Sequence, residues 1–220
     1  MNGKGVVEAF REKTNQCFHK IGDCTPAEIE TIAKEHIENV IQEEEIDVEI
    51  IDVIITGSRC RGIEKEFSDL DMVVEFKSEH WREDSLFCLL HEEENKLAIE
   101  GIPIDFNPIS KEKTGTLEEY LPRAEKYLEE EERRRDMELL KRAQVLDAQF
   151  GCFPMVSGTL VSLPAEYDEY LSEHEQRRLV EVFQKQLQRK APSLEEQIQR
   201  ANGRVQKVKS GPQYKSERDM

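Results

Sequence analysis

Two short apolar runs joined through a glycine-serine turn constrain this chain most. Asp47–Thr56 is rich in Val and Ile, and Asp69–Phe76 reads DLDMVVEF. Runs of this length and content predict strands. Gly57-Ser58 ends the first, and residues 58–67 supply a turn or short helix before the second. Ahead of them, Thr25-Pro26-Ala27-Glu28 has the signature of a helix start. Thr25 can cap, Pro26 suits the first helical position, and Glu28 closes a capping box. Ile29, Ile32, Ala33, His36, Ile37, Val40 and Ile41 then recur at helical spacing and predict a face that packs on a sheet. Residues 80–99 predict a second helix, with Trp81, Leu86, Leu89, Leu90 and Leu97 as its buried face. Gly101–Ile109 predicts a third strand. The order α-β-turn-β-α-β is an α+β arrangement, a mixed sheet flanked by helices and complete by about residue 110. A short amphipathic helix around Val6–Phe18 precedes it.

The rest of the chain reads as largely α-helical. Thr116-Leu117-Glu118-Glu119 is another capping-box start. A long charged helix, or a helix pair kinked or restarted at Pro122, follows to about Asp147. Glu129, Glu130 and Glu131 each precede an arginine by four residues, which predicts a solvated, pair-stabilised surface. Leu117, Tyr120, Leu121, Ala124, Tyr127 and Leu128 are expected to be core or to face a partner. Residues 150–164 are apolar and rich in turn formers, with a small hairpin around Ser157-Gly158-Thr159. Residues 165–190 and 193–208 predict helices, the second opened by Ser193 and Glu196, and 209–220 predict a disordered tail. The expected division is 1–112 for the sheet domain (core 27–110), 113–208 for the helical region and 209–220 for the tail.

Charge and composition narrow the function. The 220 residues hold 31 basic and 47 acidic side chains, a net charge of −16. A polyanion is a poor ligand for duplex DNA, whose affinity comes from Lys and Arg at phosphates. From position 176 on there are 11 basic and 5 acidic residues, net +6. That end either offsets the acidic body or touches nucleic acid or an acidic partner, and the first is preferred. No apolar run approaches a membrane span, and the first 25 residues lack a signal core. Five cysteines, odd in number and without C-x-x-C, fit free thiols in a reducing cytoplasm. No G-x-x-x-x-G-K-[ST] is present, so P-loop chemistry is excluded. Cys60, inside the turn, is expected to fill space behind it.

The chemistry sits in Gly57-Ser58-Arg59-Cys60-Arg61-Gly62 and Ser68-Asp69-Leu70-Asp71. Asp69 and Asp71 are two apart in a strand, so their carboxylates share a face. Adjacent carboxylates repel, and Mg²⁺ favours such a pair together with waters and substrate phosphate oxygens. Gly57 lets backbone approach a ligand closely. Ser58 offers a hydroxyl and an N–H to phosphate, and Arg59 and Arg61 offer positive charge. Asp105 interrupts the apolar run Ile102–Phe106, where a carboxylate is costly unless paired or metal-bound. If its strand lies beside the second, three carboxylates converge and can hold two metal ions.

Gly57-Ser58, the gap that follows and Asp69-x-Asp71, with a later strand Asp, resemble the nucleotidyltransferase domain of the DNA polymerase β-like superfamily. GSRCRG…SDLDMVVEF is most similar to its minimal nucleotidyltransferase branch. The resemblance covers about residues 27–110. It implies that Gly57 and Ser58 hold the triphosphate of ATP or another NTP, with Arg59 and Arg61 as looser matches for phosphate contacts. It implies that Asp69 and Asp71 ligate Mg²⁺, and that Asp105 is a third ligand or the general base. An acceptor hydroxyl would attack the α-phosphorus and pyrophosphate would leave. The acidic body favours a protein or small-molecule acceptor over long nucleic acid. The alternative is a weakly catalytic or non-catalytic nucleotide-binding module, such as an antitoxin-like partner. In either case the C-terminal helices would offer a surface for a protein partner.

Overall fold

The structure, a computed structural model, describes residues 5–151, 154–157 and 160–190. Helix α1 (Val6–Cys17) and helix α2 (Pro26–Glu43) lead into strand β1 (Glu49–Ile55). A single 3₁₀ turn, Arg59–Arg61, separates β1 from strand β2 (Leu70–Lys77). Helix α3 (Glu83–Leu90), a second 3₁₀ turn (Glu93–Asn95), and strands β3 (Ala98–Ile99) and β4 (Ile102–Ser110) follow. The long helix α4 (Leu117–Phe150), a hairpin of β5 (Met155–Ser157) and β6 (Leu160–Ser162), a 3₁₀ segment (Ala165–Glu169) and helix α5 (Glu173–Lys190) complete the order.

The sheet runs β1-β2-β4-β3. β1 pairs antiparallel with β2, β2 parallel with β4, and β3 antiparallel with β4. The fold is therefore α+β with a mixed sheet, as the sequence predicts. The helix start at Thr25 forms as read: Thr25 caps α2, and Glu28 completes the capping box from its side chain. Ile29, Ala33, Ile37 and Val40 are buried, in one core with Ile54, Val73 and Phe106 of the sheet. Ile32, expected on that face, is exposed. The same face carries a charge the apolar pattern conceals. Glu30 is buried, accepts the Ile55 N–H and pairs with Arg11 at 2.8 Å. Arg11 also reaches Asp52 at the bulge of β1, which ties α1 to the sheet.

Two local expectations change. The helix expected over 80–99 is shorter, because Ala98–Ile99 pair with β4 across a turn whose Glu100 and Gly101 have positive φ. Pro122 neither breaks nor restarts a helix, since it lies inside the continuous α4. Its missing N–H forfeits the bond to the Glu118 carbonyl, a loss the helix accommodates. Glu119 accepts from the Thr116 N–H, and the buried Glu75 of β2 accepts from the Leu117 N–H, so two of the orphan donors at the start of α4 are met by carboxylates.

The chain forms two compact units, one ending at Arg142 and one beginning at Ala143. The boundary expected at 112–113 falls inside the first, because Leu117, Leu121 and Leu128 of α4 belong to the sheet core. In the second unit, β5 and β6 form the expected hairpin. Tyr167 is fully buried and donates to the Ala143 carbonyl. Ser172 and Glu175 make a capping box before α5 that the sequence reading passed over. The helix read over 193–208 and the tail lie outside the described residues. Among the described residues, no helix is long and apolar enough to cross a membrane.

Candidate active site

β2 and β4 bring the carboxylates together. Their parallel register sets Asp71 directly beside Asp105. Asp69 lies one residue before β2, and its side chain joins them. Ligand atoms of Asp69, Asp71 and Asp105 all fall within 4.8 Å of one another. Among the described residues neither Asp69 nor Asp71 has an ion-pair partner. Partial burial pushes the Asp71 carboxyl up to about 6, with the charges of Asp69 and Asp105 adding to the shift. Clustered oxygen donors that resist ionisation together are suited to a hard divalent cation. The donor set thus fits Mg²⁺.

The glycine-serine turn is built around this cluster. Gly57 has φ +63, and a Cβ there would lie 1.8 Å from the Oδ2 of Asp71. The backbone of the turn therefore rests on the carboxylate itself. The Thr56 N–H donates to the Asp71 carbonyl at 2.8 Å, which fixes their relative height. Ser58 precedes the 3₁₀ turn, and its carbonyl accepts from the Ile63 N–H. Cys60 is fully buried, donates to the Gly57 carbonyl, and has its thiol pushed up to about 12 by burial. It packs behind the turn and is not a reactive thiol.

Arg59 and Arg61 point elsewhere than the sequence suggests. Both are buried, and neither lines the cleft over the carboxylates. Arg59 donates from Nε and Nη2 to the Ser68 carbonyl and from Nε to that of Asp69. It fastens the turn to the segment that carries Asp69. Arg61 donates to Thr14 Oγ1 and the Cys60 carbonyl, pairs with Glu125, and lies 4.1 Å over the ring of Phe10. It clamps α1 and α4 to the turn.

The cleft measures about 620 Å³ and has two walls. One is the turn and strands: Gly57, Ser58, Ser68, Asp69, Asp71 and Asn107. Asn107 stands two residues beyond Asp105, hence on the same strand face. The other is one face of α4, where Tyr120, Arg123, Tyr127, Glu131 and Arg135 recur at three- and four-residue spacing. Burial, and then the charge of Asp71, raise the Tyr120 phenol above its ordinary range. Glu131 is held ionised, below the usual range, first by a hydrogen bond from Arg134 and then by Arg135. Arg135 also donates to the Ile63 carbonyl. In sequence this wall looks like core or solvated surface, because its tyrosines and arginines alternate with true core leucines. His91 carries no such signal in sequence, yet it reaches the cluster. Its Nε2 meets Asp105 Oδ1 at 2.7 Å.

A family model described as the nucleotidyltransferase domain matches residues 33–142, half of the chain. The chain belongs to this family. The matched span of the nucleotidyltransferase domain runs from α2 through the three aspartates and ends at Arg142, where the first compact unit ends. It includes the α4 wall of the cleft. The family's general chemistry is transfer of a nucleoside monophosphate from an NTP. No curated protein and no solved structure matches the chain.

Proposed function

We propose that this nucleotidyltransferase domain moves a nucleoside monophosphate from an NTP to a hydroxyl of a protein or small-molecule acceptor, in a Mg²⁺-dependent reaction. The observation that carries the reading is the convergence of Asp69, Asp71 and Asp105 within 4.8 Å beside the Gly57-Ser58 turn. A bond forms between the acceptor oxygen and the α-phosphorus. The bond from the α-phosphorus to the bridging oxygen breaks, and pyrophosphate leaves. Asp105, on its own strand, takes the acceptor proton. Asp69 and Asp71 would hold Mg²⁺ in a two-ion site, with Asp105 as a third ligand. Bound there, the metal supplies charge neutralisation and Lewis acidity for the phosphate oxygens.

The backbone of Gly57-Ser58 and the Ser58 hydroxyl cradle the triphosphate. Arg59 and Arg61 serve the cradle from behind. The cations that line the cleft are Arg123 and Arg135, and they replace the two turn arginines as phosphate contacts. Tyr120 and Tyr127 offer aromatic faces to the nucleoside. The volume is that of a site for one nucleotide-sized ligand. Together with the net charge of −16, it favours a compact acceptor over a long polyanion.

The test uses each α-labelled NTP in turn with Mg²⁺, the purified protein and a cell extract. Label moved by the wild type and not by the Asp69→Asn, Asp71→Asn double variant supports the reading, and the labelled species names the acceptor. Equal labelling by both proteins overturns it.

A further inference from the structure

We infer that His91 is a positioning residue for Asp105, and that it selects which carboxylate oxygen works. This inference rests on the reading of the aspartate cluster as a nucleotidyl transfer centre. His91 ends α3, where its backbone N–H closes the helix on Cys88 and Leu89. Its ring is held on three sides. Nδ1 lies 2.7 Å from the Phe87 carbonyl, one helical turn back. The ring stacks on Phe87 with centroids 3.9 Å apart and planes 26° apart. Nε2 lies 2.7 Å from Asp105 Oδ1.

Valence fixes the direction of these bonds. A carbonyl oxygen has no proton to give, so the Nδ1 contact requires the proton on Nδ1. That sets the ring orientation before Asp105 is considered. Nε2 then faces Oδ1 alone, at 2.7 Å. Asp105 is left with a single oxygen, Oδ2, for a cation or for the acceptor proton. A carboxylate gripped through one oxygen is hindered from rotating, and its neighbour Asp71 packs against Gly57. Outer-shell partners that orient a metal ligand by a hydrogen bond commonly contribute ~10–100-fold to metal affinity or activity. Ligands held by packing and such bonds keep the geometry that transfer needs.

Three substitutions separate positioning from helix capping. His91→Gln places an amide N–H near the position of Nε2 and keeps a donor for Asp105. His91→Asn places its amide near Nδ1, and keeps only the contact with Phe87. His91→Leu removes both. Each is assayed for Mn²⁺ binding by electron paramagnetic resonance, and for kcat and NTP KM by α-label transfer. The Asn and Leu variants are expected to bind Mn²⁺ ~10-fold more weakly and to lose ~10–100-fold in kcat, with KM nearly unchanged. The Gln variant is expected to recover most of both. Phe87→Leu, which removes only the stack, should show a smaller loss of the same kind.

If all three His91 variants match the wild type, the role of His91 is overturned while the transfer centre stands. If all three lose equally and melt earlier, His91 only caps α3, and the inference is again overturned. A wild type that binds no Mn²⁺ and moves no label removes the transfer reading, and this inference with it.

Discussion

A Cβ on Gly57 would lie 1.8 Å from the Oδ2 of Asp71, at a backbone φ of +63. The glycine-serine turn and the Asp71 carboxylate are in van der Waals contact. Neither can move without the other. Gly57→Ala must therefore displace the Asp71 side chain or lift the turn. A strained φ of this kind costs about 1–3 kcal/mol, before the clash is added. Displacement on the ångström scale lowers a rate by roughly 100-fold. Label transfer by Gly57→Ala should fall by that much or more, and thermal melting should show a lower Tm.

Asp71 gives the fold a pH dependence of unusual sign for an aspartate. Burial, with Asp69 and Asp105 behind it, raises its carboxyl from 3.8 to about 6. Between those values the folded chain holds a proton that the unfolded chain has released. Stability from this group is thus greatest below about 4 and falls as pH rises through about 6. Asp71→Asn should raise the Tm at pH 7.5 without metal and bring no gain at pH 4. Mg²⁺ should narrow the gap at pH 7.5, because it stabilises only the protein that binds it.

Arg59 and Arg123 should fail differently. Arg59 grips the carbonyls of Ser68 and Asp69, so Arg59→Ala loosens the backbone that carries Asp69. It should reduce kcat by ~10–100-fold with little change in NTP KM. Arg123 lines the cleft. Arg123→Ala should raise NTP KM by ~10-fold, the loss of one charge-assisted contact. Steady-state kinetics on both variants with one NTP decides the matter. A rise in KM for Arg59→Ala would return that residue to the triphosphate.

Arg61 should matter to stability rather than chemistry. Its side chain is 2% exposed, pairs with Glu125 on α4 and covers Phe10 of α1. Lys13 also reaches Glu125, so Arg61→Leu does not strand that carboxylate. The loss should sit at the low end for a broken buried pair, about 3 kcal/mol. In a chain of this size that lowers Tm by roughly 6–12 °C. Calorimetry at pH 7.5 checks it.

The sheet domain was legible because local signals and global fold agree there. Thr25 and Glu28 mark a helix start by side-chain chemistry alone, and the Val- and Ile-rich runs leave little choice but strands. Asp69-x-Asp71 states its own geometry, since residues two apart in a strand share a face. Asp105 required one assumption, the adjacency of β4 to β2, and the register supplies it. The α4 wall was not legible. Tyr120 and Tyr127 lie among Leu117, Leu121 and Leu128, and only the packing of the helix tells which face meets the sheet. The Glu129–Arg135 stretch reads as surface pairing, yet Glu131 and Arg135 line the cleft. The charge of Arg59 and Arg61 suggests phosphate contacts, and sequence alone does not show what else they reach. Both instead meet buried carbonyl or carboxylate oxygens that the turn creates. His91 carried no signal in one dimension, because its partner is 14 residues away on another element.

If the three aspartates serve transfer, the bond that breaks is the one beyond the α-phosphorus. The most direct measurement gives the protein and its acceptor one NTP, labelled at the α-phosphate in one reaction and at the γ-phosphate in another, with Mg²⁺. The expected result is α-label on the acceptor and γ-label in pyrophosphate, both abolished in Asp71→Asn. Label from the γ-phosphate on the acceptor, γ-label released as orthophosphate, or transfer that survives in Asp71→Asn would contradict the account.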